Sequence, residues 1–224
     1  MGPGAPGRDG RAALIRVIHL SDLKFVGRFK ASVDASPWGI GGILQDGARV
    51  VAKFHDRVSA EDIRLLGVQV GNPAFQTVLE GLAILVALRV FGPRAMWKAG
   101  AMVSMVIRSD SKGALGAAIK SGSTTDPLLN QVGQEVSFDQ ACGDYRVELY
   151  EHTPGVANVG PDYLSRLHAP DAERRVAPKY VGPIEAVSVP PRDETWWRTW
   201  DPPPSCAGDG KGGAGGQTAQ GPRQ

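Results

Sequence analysis

The chain has 224 residues, 42% of them hydrophobic, which is enough for one domain with a real core and tails besides. Its 25 basic and 23 acidic residues leave a formal charge of +2, too slight to argue for a nucleic-acid partner from charge alone. Two cysteines, Cys142 and Cys206, provide neither a disulfide framework nor a zinc spacing, so an intracellular compartment, cytoplasmic or nuclear, is expected rather than secretion. The longest uncharged apolar run, LAILVAL at 82–88, is far too short to cross a bilayer, and no membrane association is expected. AALIRVIHL near the start is interrupted by Arg16 and lacks a cleavage pattern after it, which argues against a signal peptide. Glycine and proline crowd 1–10 and 201–224, where too few apolar side chains exist to offset the entropy of ordering. The expected organisation is a disordered or residual segment at 1–23, a domain at 24–170, and a Pro/Gly/Trp-rich tail at 171–224, mostly disordered.

In chain order, FKASVDA at 29–35 alternates and reads as a strand. SPWG is a turn, and IGGILQ is a second strand whose glycines weaken it or admit another backbone closely. Asp46-Gly47 signals a hairpin, with ARVVAKFH as the third strand. A polar connection follows, with room for one short helical turn. Pro73 opens a long helix carrying Phe75, Val78, Leu79, Leu82, Leu85, Val86 and Val90 at helical spacing, expected to stop at Gly92-Pro93. VSMVIR at 103–108 suits a buried central strand. A short helix at KGALGAAIKSG, another from Asp126-Pro127, a strand at 145–152, a loop and a last helix from Pro161 complete the chain. The order β-β-β-α-β-α-α-β-α predicts an α/β fold with a mixed five-stranded sheet flanked by helices.

Four carboxylates fall at element ends or on apolar faces: Asp34, Glu80, Asp110 and Asp162. Dozens of residues separate them, so only the fold can gather them. Gathered, they would repel one another, and hard carboxylate oxygens suit Mg²⁺ or Mn²⁺. Two such ions can activate a water and stabilise a leaving oxygen in phosphodiester hydrolysis. Taken singly, each has an ordinary alternative. Asp34 and Asp110 suit turns or caps, Glu80 a solvated helix face, and Asp162 the first turn of a helix.

The segments carrying these acids resemble the ribonuclease H domain of LTR-type and DIRS-like retrotransposon reverse transcriptase polyproteins. VDASPWGIGGIL at 33–44 is similar to the family's first strand, FQTVLEGLAILVAL at 75–88 to its first helix, and IRSDSKGAL at 107–115 to its fourth strand and turn. EHTPGVANVGPDYLSRL at 151–167 is the most specific segment. It holds His152, Pro154-Gly155, Asn158, Asp162 and Leu164-Ser165-Arg166 in the family's order. The resemblance spans about 28–168 and implies a ribonuclease H-like fold and Mg²⁺-dependent endonucleolytic cleavage of the RNA strand in RNA–DNA hybrids, with two ions and Mn²⁺ as substitute. It implies that Asp34 bridges both ions, that Glu80 and Asp110 hold the one near the leaving oxygen, and that Asp162 completes the other. His152, on a loop, would assist proton transfer or product release. Pro161 departs from the family's Ala, and the connection at 56–72 fits no part of the pattern. With no reverse transcriptase motif ahead of it, the chain is expected to be a piece of a larger polyprotein or a retroelement-derived remnant. A catalytically inactive binding or connecting module is the alternative.

Other residues carry weaker signals. Trp38 can stack on a sugar or base, or be a turn aromatic. Asn158 can contact the hybrid, or cap a helix. Lys112, Lys120 and Arg166 are candidate phosphate contacts, or solvated surface charge. GIGG sits in a hairpin, which excludes a dinucleotide fingerprint. ETWWRTWDPPP at 194–204 holds three of five tryptophans beyond the expected domain, as a docking segment or one that packs back.

Overall fold

The computed structural model describes residues 29–99, 103–122, 125–143 and 145–199. The segment expected to be disordered at 1–23, and the part of the 171–224 tail from 200 onward, lie outside the described residues. Strands β1 (Phe29–Ser36), β2 (Gly39–Asp46) and β3 (Arg49–Arg57) form an antiparallel meander. Strand β4 (Val103–Ser109) pairs parallel with β1, and β5 (Tyr145–His152) parallel with β4. A two-residue strand, β6 (Glu185–Ala186), adds to β3, so the sheet runs β5-β4-β1-β2-β3-β6. It has six strands rather than the five expected. The arrangement is otherwise the expected one: three antiparallel strands, then strands alternating with helices.

Helix α1 (Ala60–Leu66) occupies the connection that the sequence pattern left unplaced. Its start is fixed by a capping box in which Ser59 and Asp62 satisfy each other's backbone N–H groups. Helix α2 (Gln76–Ala99) follows a 3₁₀ turn at Pro73–Phe75 and lies across the sheet. Helices α3 (Lys112–Lys120) and α4 (Pro127–Cys142) pack on α2, with Gly81, Ala114, Leu129, Val132 and Val136 at the contact. By composition α2 is long enough to span a bilayer, but 72% of its apolar window is buried within the body, which makes it the core helix of the fold.

Two expectations are corrected here. Gly92-Pro93 does not stop α2, which runs on to Ala99. Gly92 is small because the Tyr145 ring of β5 lies against it, where a Cβ would overlap the ring. Proline's missing N–H costs one backbone bond, yet the Arg94 guanidinium donates to the Val90 carbonyl at 2.9 Å nearby.

The second correction concerns the tail expected from residue 171. Over 185–199 it is part of the body. Val187 and Trp197 lie in the main core, each 5% exposed. Arg192 is buried, donating to Asp62 at 2.7 and 2.9 Å, to Asp56 at 2.5 Å and to the Arg57 carbonyl at 2.9 Å. Further on, buried Glu135 of α4 accepts from the Arg198 and Thr199 backbone and from the Thr199 hydroxyl, while Arg89 of α2 bridges Glu135, Asp139 and the Trp196 carbonyl. Burial opposes the charge on Glu135, but the bonds from Thr199, Arg198 and Arg89 win and hold its carboxyl below the usual value. Composition marked this segment as part of a mostly disordered tail because its anchors are ionic, and their partners lie up to 136 residues away.

The opposite face of the sheet carries only α5 (Val159–Ser165) among the described helices. A β-bulge at Leu44/Gln45 turns Val50 to this face, where it joins Ile43 and Leu164 in a second small cluster. The glycines of β2 let α5 lie directly on the strands. A Cβ on Gly41 would stand 2.5 Å from Leu164 Cβ and 2.6 Å from the Ser165 nitrogen.

Candidate active site

Strand pairing explains how distant acids meet. β1 and β4 are parallel neighbours, with Ser32 opposite Arg108. Carried two residues further, that register sets Asp34 beside Asp110. Asp34 and Ser36 alternate with the core residues Val33 and Ala35, and so face α5. Glu80 comes from the first turns of α2, which packs on β1.

Asp34, Glu80 and Asp110 each offer an oxygen within 4.8 Å of the others. Asp34 and Glu80 are both 4% exposed, and among the described residues none of the three forms an ion pair. Asp34 and Glu80 are each held on one side only. The Ser165 hydroxyl lies 2.6 Å from Asp34 Oδ2 and 3.0 Å from the Asp162 carbonyl; its single proton goes to the shorter contact. Ser165 is itself fixed through its carbonyl, which accepts from the Ser36 hydroxyl at 2.7 Å. Gln76, one turn before Glu80, donates to Glu80 Oε1 at 2.8 Å and to the Ala35 carbonyl at 2.5 Å. Glu80 Oε2 and Asp110 Oδ1 are buried and have no hydrogen-bond partner.

Electrostatics follows from this packing. Burial pushes the Asp34 carboxyl well above its ordinary value; the charges of Asp110 and Asp162 add to the rise, and the Ser165 bond and Arg166 oppose it. Burial likewise raises Glu80, then the charge of Asp34, against the bonds from Gln76 and the Ala35 backbone. Two buried carboxylates held above their range, beside a third, with two orphaned oxygens, fit a divalent cation. The donor set is all hard oxygen, as Mg²⁺ or Mn²⁺ requires.

The fourth acid stands apart. Asp162, in the first turn of α5, receives Arg166 Nε at 2.6 Å, and Arg175 lies 3.9 Å from its other oxygen. Its charge reaches Asp34, but the carboxylates within 4.8 Å of one another are the other three. His152 is the last residue of β5 rather than a loop residue. It pairs with Ser109, and its Nε2 is 3.1 Å from the Asp110 carbonyl, at the exposed rim of the site. Asn158 is 2% exposed, and its amide donates to the Val33 carbonyl at 2.9 Å. It therefore ties the loop before α5 to β1 and is closed to a ligand, which corrects the expectation of a substrate contact. Nor does its side chain cap α5.

Trp38 sits half-buried in the β1–β2 turn, its carbonyl accepting from Val58 at 3.0 Å and its indole nitrogen near Gly71. Lys112 opens α3 two residues after Asp110 and is exposed. It lines a cleft with Gly113, Gly116, Lys120, Ser121 and Asn130. Gln76 and Ser165 are the site residues that sequence reasoning missed. A glutamine four residues ahead of a buried glutamate is a helical pair signal, and Ser165 stood inside the quoted Leu-Ser-Arg motif without a role.

No family model matches the chain, and no curated protein does. Among solved structures, the chain is similar to RNase H1 from the halophilic archaeon Halobacterium salinarum at 21% identity, covering 65% of this chain and 100% of that one, with a TM-score of 0.48. An N-terminal RNase H domain from Mycobacterium tuberculosis, solved as a maltose binding protein fusion, matches at 16% identity over 65% of this chain and 97% of that one, with a TM-score of 0.45. An RNase H1 isolated from compost by a metagenomic approach matches at 14% identity over 66% and 99%, with a TM-score of 0.46.

Proposed function

We propose that the chain is a divalent-cation-dependent endonuclease that hydrolyses the RNA strand of RNA–DNA hybrids, working in retrotransposon reverse transcription beside a reverse transcriptase domain of the same polyprotein. The observation that carries the enzymatic part is the meeting of Asp34, Glu80 and Asp110 within 4.8 Å, from three separate segments and with two oxygens left unpartnered. The retrotransposon setting is supported by the His152, Pro154-Gly155, Asn158, Asp162, Leu164-Ser165-Arg166 pattern.

Asp34, Glu80 and Asp110 are the residues that would hold the cation. When bound, such a cation supplies Lewis-acid polarisation of a phosphoryl oxygen and a more acidic water. Ser165 and Gln76 fix the rotamers of Asp34 and Glu80, leaving their other oxygens aimed into the site. Asp162 has to give up Arg166 before it can serve a second cation. His152, at the rim beside Asp110, is placed to carry a proton between the site and solvent. Lys112 and Trp38 are exposed enough to meet the hybrid's backbone and sugars, and preference for RNA requires that some group there sense the 2′-hydroxyl.

The test uses a hybrid labelled on its RNA strand. Mg²⁺-dependent internal cleavage is expected from the wild type, and its loss from Asp34→Asn and Glu80→Gln. Wild-type protein that binds the hybrid with saturating Mg²⁺ and leaves the RNA intact would establish the binding-module alternative instead.

A further inference from the structure

On the α5 face, two strands across from Asp34, with Gly41 of β2 between them in register, two histidines from distant segments meet. His55 lies on β3 and His168 three residues after α5, and both are exposed. His55 Nδ1 is 3.3 Å from His168 Nε2, with ring centroids 5.4 Å apart and the planes inclined at 39°. The seat of His168 is shaped by the strand beneath it. Gly39 leaves room for the ring, since a Cβ there would stand 3.2 Å from His168 Cδ2.

We propose that His55 and His168 form a separate binding site for a borderline d-block cation such as Zn²⁺, Ni²⁺ or Cu²⁺, which fastens the end of α5 to the sheet. Imidazole nitrogens select these metals over Mg²⁺, so the site is chemically distinct from the carboxylate cluster. The spacing also fits. A cation about 2.0–2.1 Å from each nitrogen, with the nitrogens 3.3 Å apart, subtends an angle of about 107°, close to tetrahedral. In the metal-free pair one ring nitrogen donates to the other, and a modest rotation of two exposed rings turns both lone pairs toward one point. The donor ring takes the tautomer with its proton on the other nitrogen, by exchange with solvent, so both imidazoles stay neutral, and water fills the remaining positions. Partial burial, then His168 and Lys53, hold His55 below its ordinary value against Asp56, in the direction that favours a metal-binding neutral imidazole. Because α5 ends at Ser165, a cation here would also steady the hydroxyl that holds Asp34.

The probe is one equivalent of Cu²⁺ added to the full chain in excess Mg²⁺, read by electron paramagnetic resonance and by calorimetry. The expected spectrum shows nitrogen splitting from two imidazoles. His55→Gln and His168→Gln should each reduce the nitrogen count and weaken binding by about 100-fold, the loss of a chelate to a single ligand. His152→Gln, which removes the histidine beside Asp110, should leave both unchanged. A spectrum and affinity insensitive to either His55→Gln or His168→Gln, or lost with His152→Gln, overturns the proposal.

Discussion

Removing one charge from the carboxylate cluster should stabilise the metal-free protein. At 4.8 Å and an effective dielectric constant near 20, two unit charges repel by about 3.5 kcal/mol. Protonation relieves part of this, because burial and mutual repulsion already hold Asp34 and Glu80 above the ordinary carboxylate range. The sign follows from linkage. A folded state that binds protons more tightly than the unfolded chain is favoured at low pH and loses that advantage as pH rises through the raised values. Metal-free wild type should therefore lose stability from about pH 4, where the unfolded carboxyls ionise, up through the raised values of about 7 for Asp34 and about 9 for Glu80. Glu80→Gln keeps the shape of the side chain and removes its charge, with an expected gain of about 1–3 kcal/mol near pH 8 in a chelator. For a domain of this size that is a rise in Tm of roughly 2–12 °C. Thermal melts by circular dichroism, with and without Mg²⁺, read the effect. Mg²⁺ should raise the Tm of wild type and have little effect on the variant. A lower Tm for Glu80→Gln in chelator at the higher pH, or equal stabilisation of both proteins by Mg²⁺, would refute the reasoning.

Three further outcomes follow from single contacts. Arg192→Met leaves Asp62 buried without its partner and should cost about 3–5 kcal/mol in urea denaturation, with much of the loss recovered by adding Asp62→Asn. Asn158→Ala strands the Val33 carbonyl and should cost about 1–3 kcal/mol of stability while leaving KM for hybrid unchanged; a raised KM at unchanged stability would restore Asn158 as a substrate contact. Ser165→Ala frees Asp34 Oδ2 and should weaken Mg²⁺ affinity by about 10–100-fold in calorimetry, with the circular dichroism spectrum preserved.

How much of this was legible in the sequence differs by residue. The meander, the buried run of β4 and the long apolar helix follow from period and turn chemistry, which act over a few residues. Gly92-Pro93 misled because a glycine needed for contact with Tyr145 looks the same in sequence as one that ends a helix. The anchoring of 185–199 through Arg192, Arg89 and Glu135 was hidden because ion pairs leave no periodicity. The acids could be nominated from their places at element ends. Their meeting depends on the parallel β1–β4 pairing, which no local spacing encodes. The Asp162–Arg166 pair is the reverse case. Its i,i+4 spacing was plain, and it competes with the role that the motif gave Asp162.

The most direct measurement is anomalous scattering from crystals soaked in Mn²⁺. A strong peak bonded to oxygens of Asp34, Glu80 and Asp110 is expected, with no such peak in Asp34→Asn crystals. Soaked wild-type crystals with the three carboxylates in place and no density between them would contradict it.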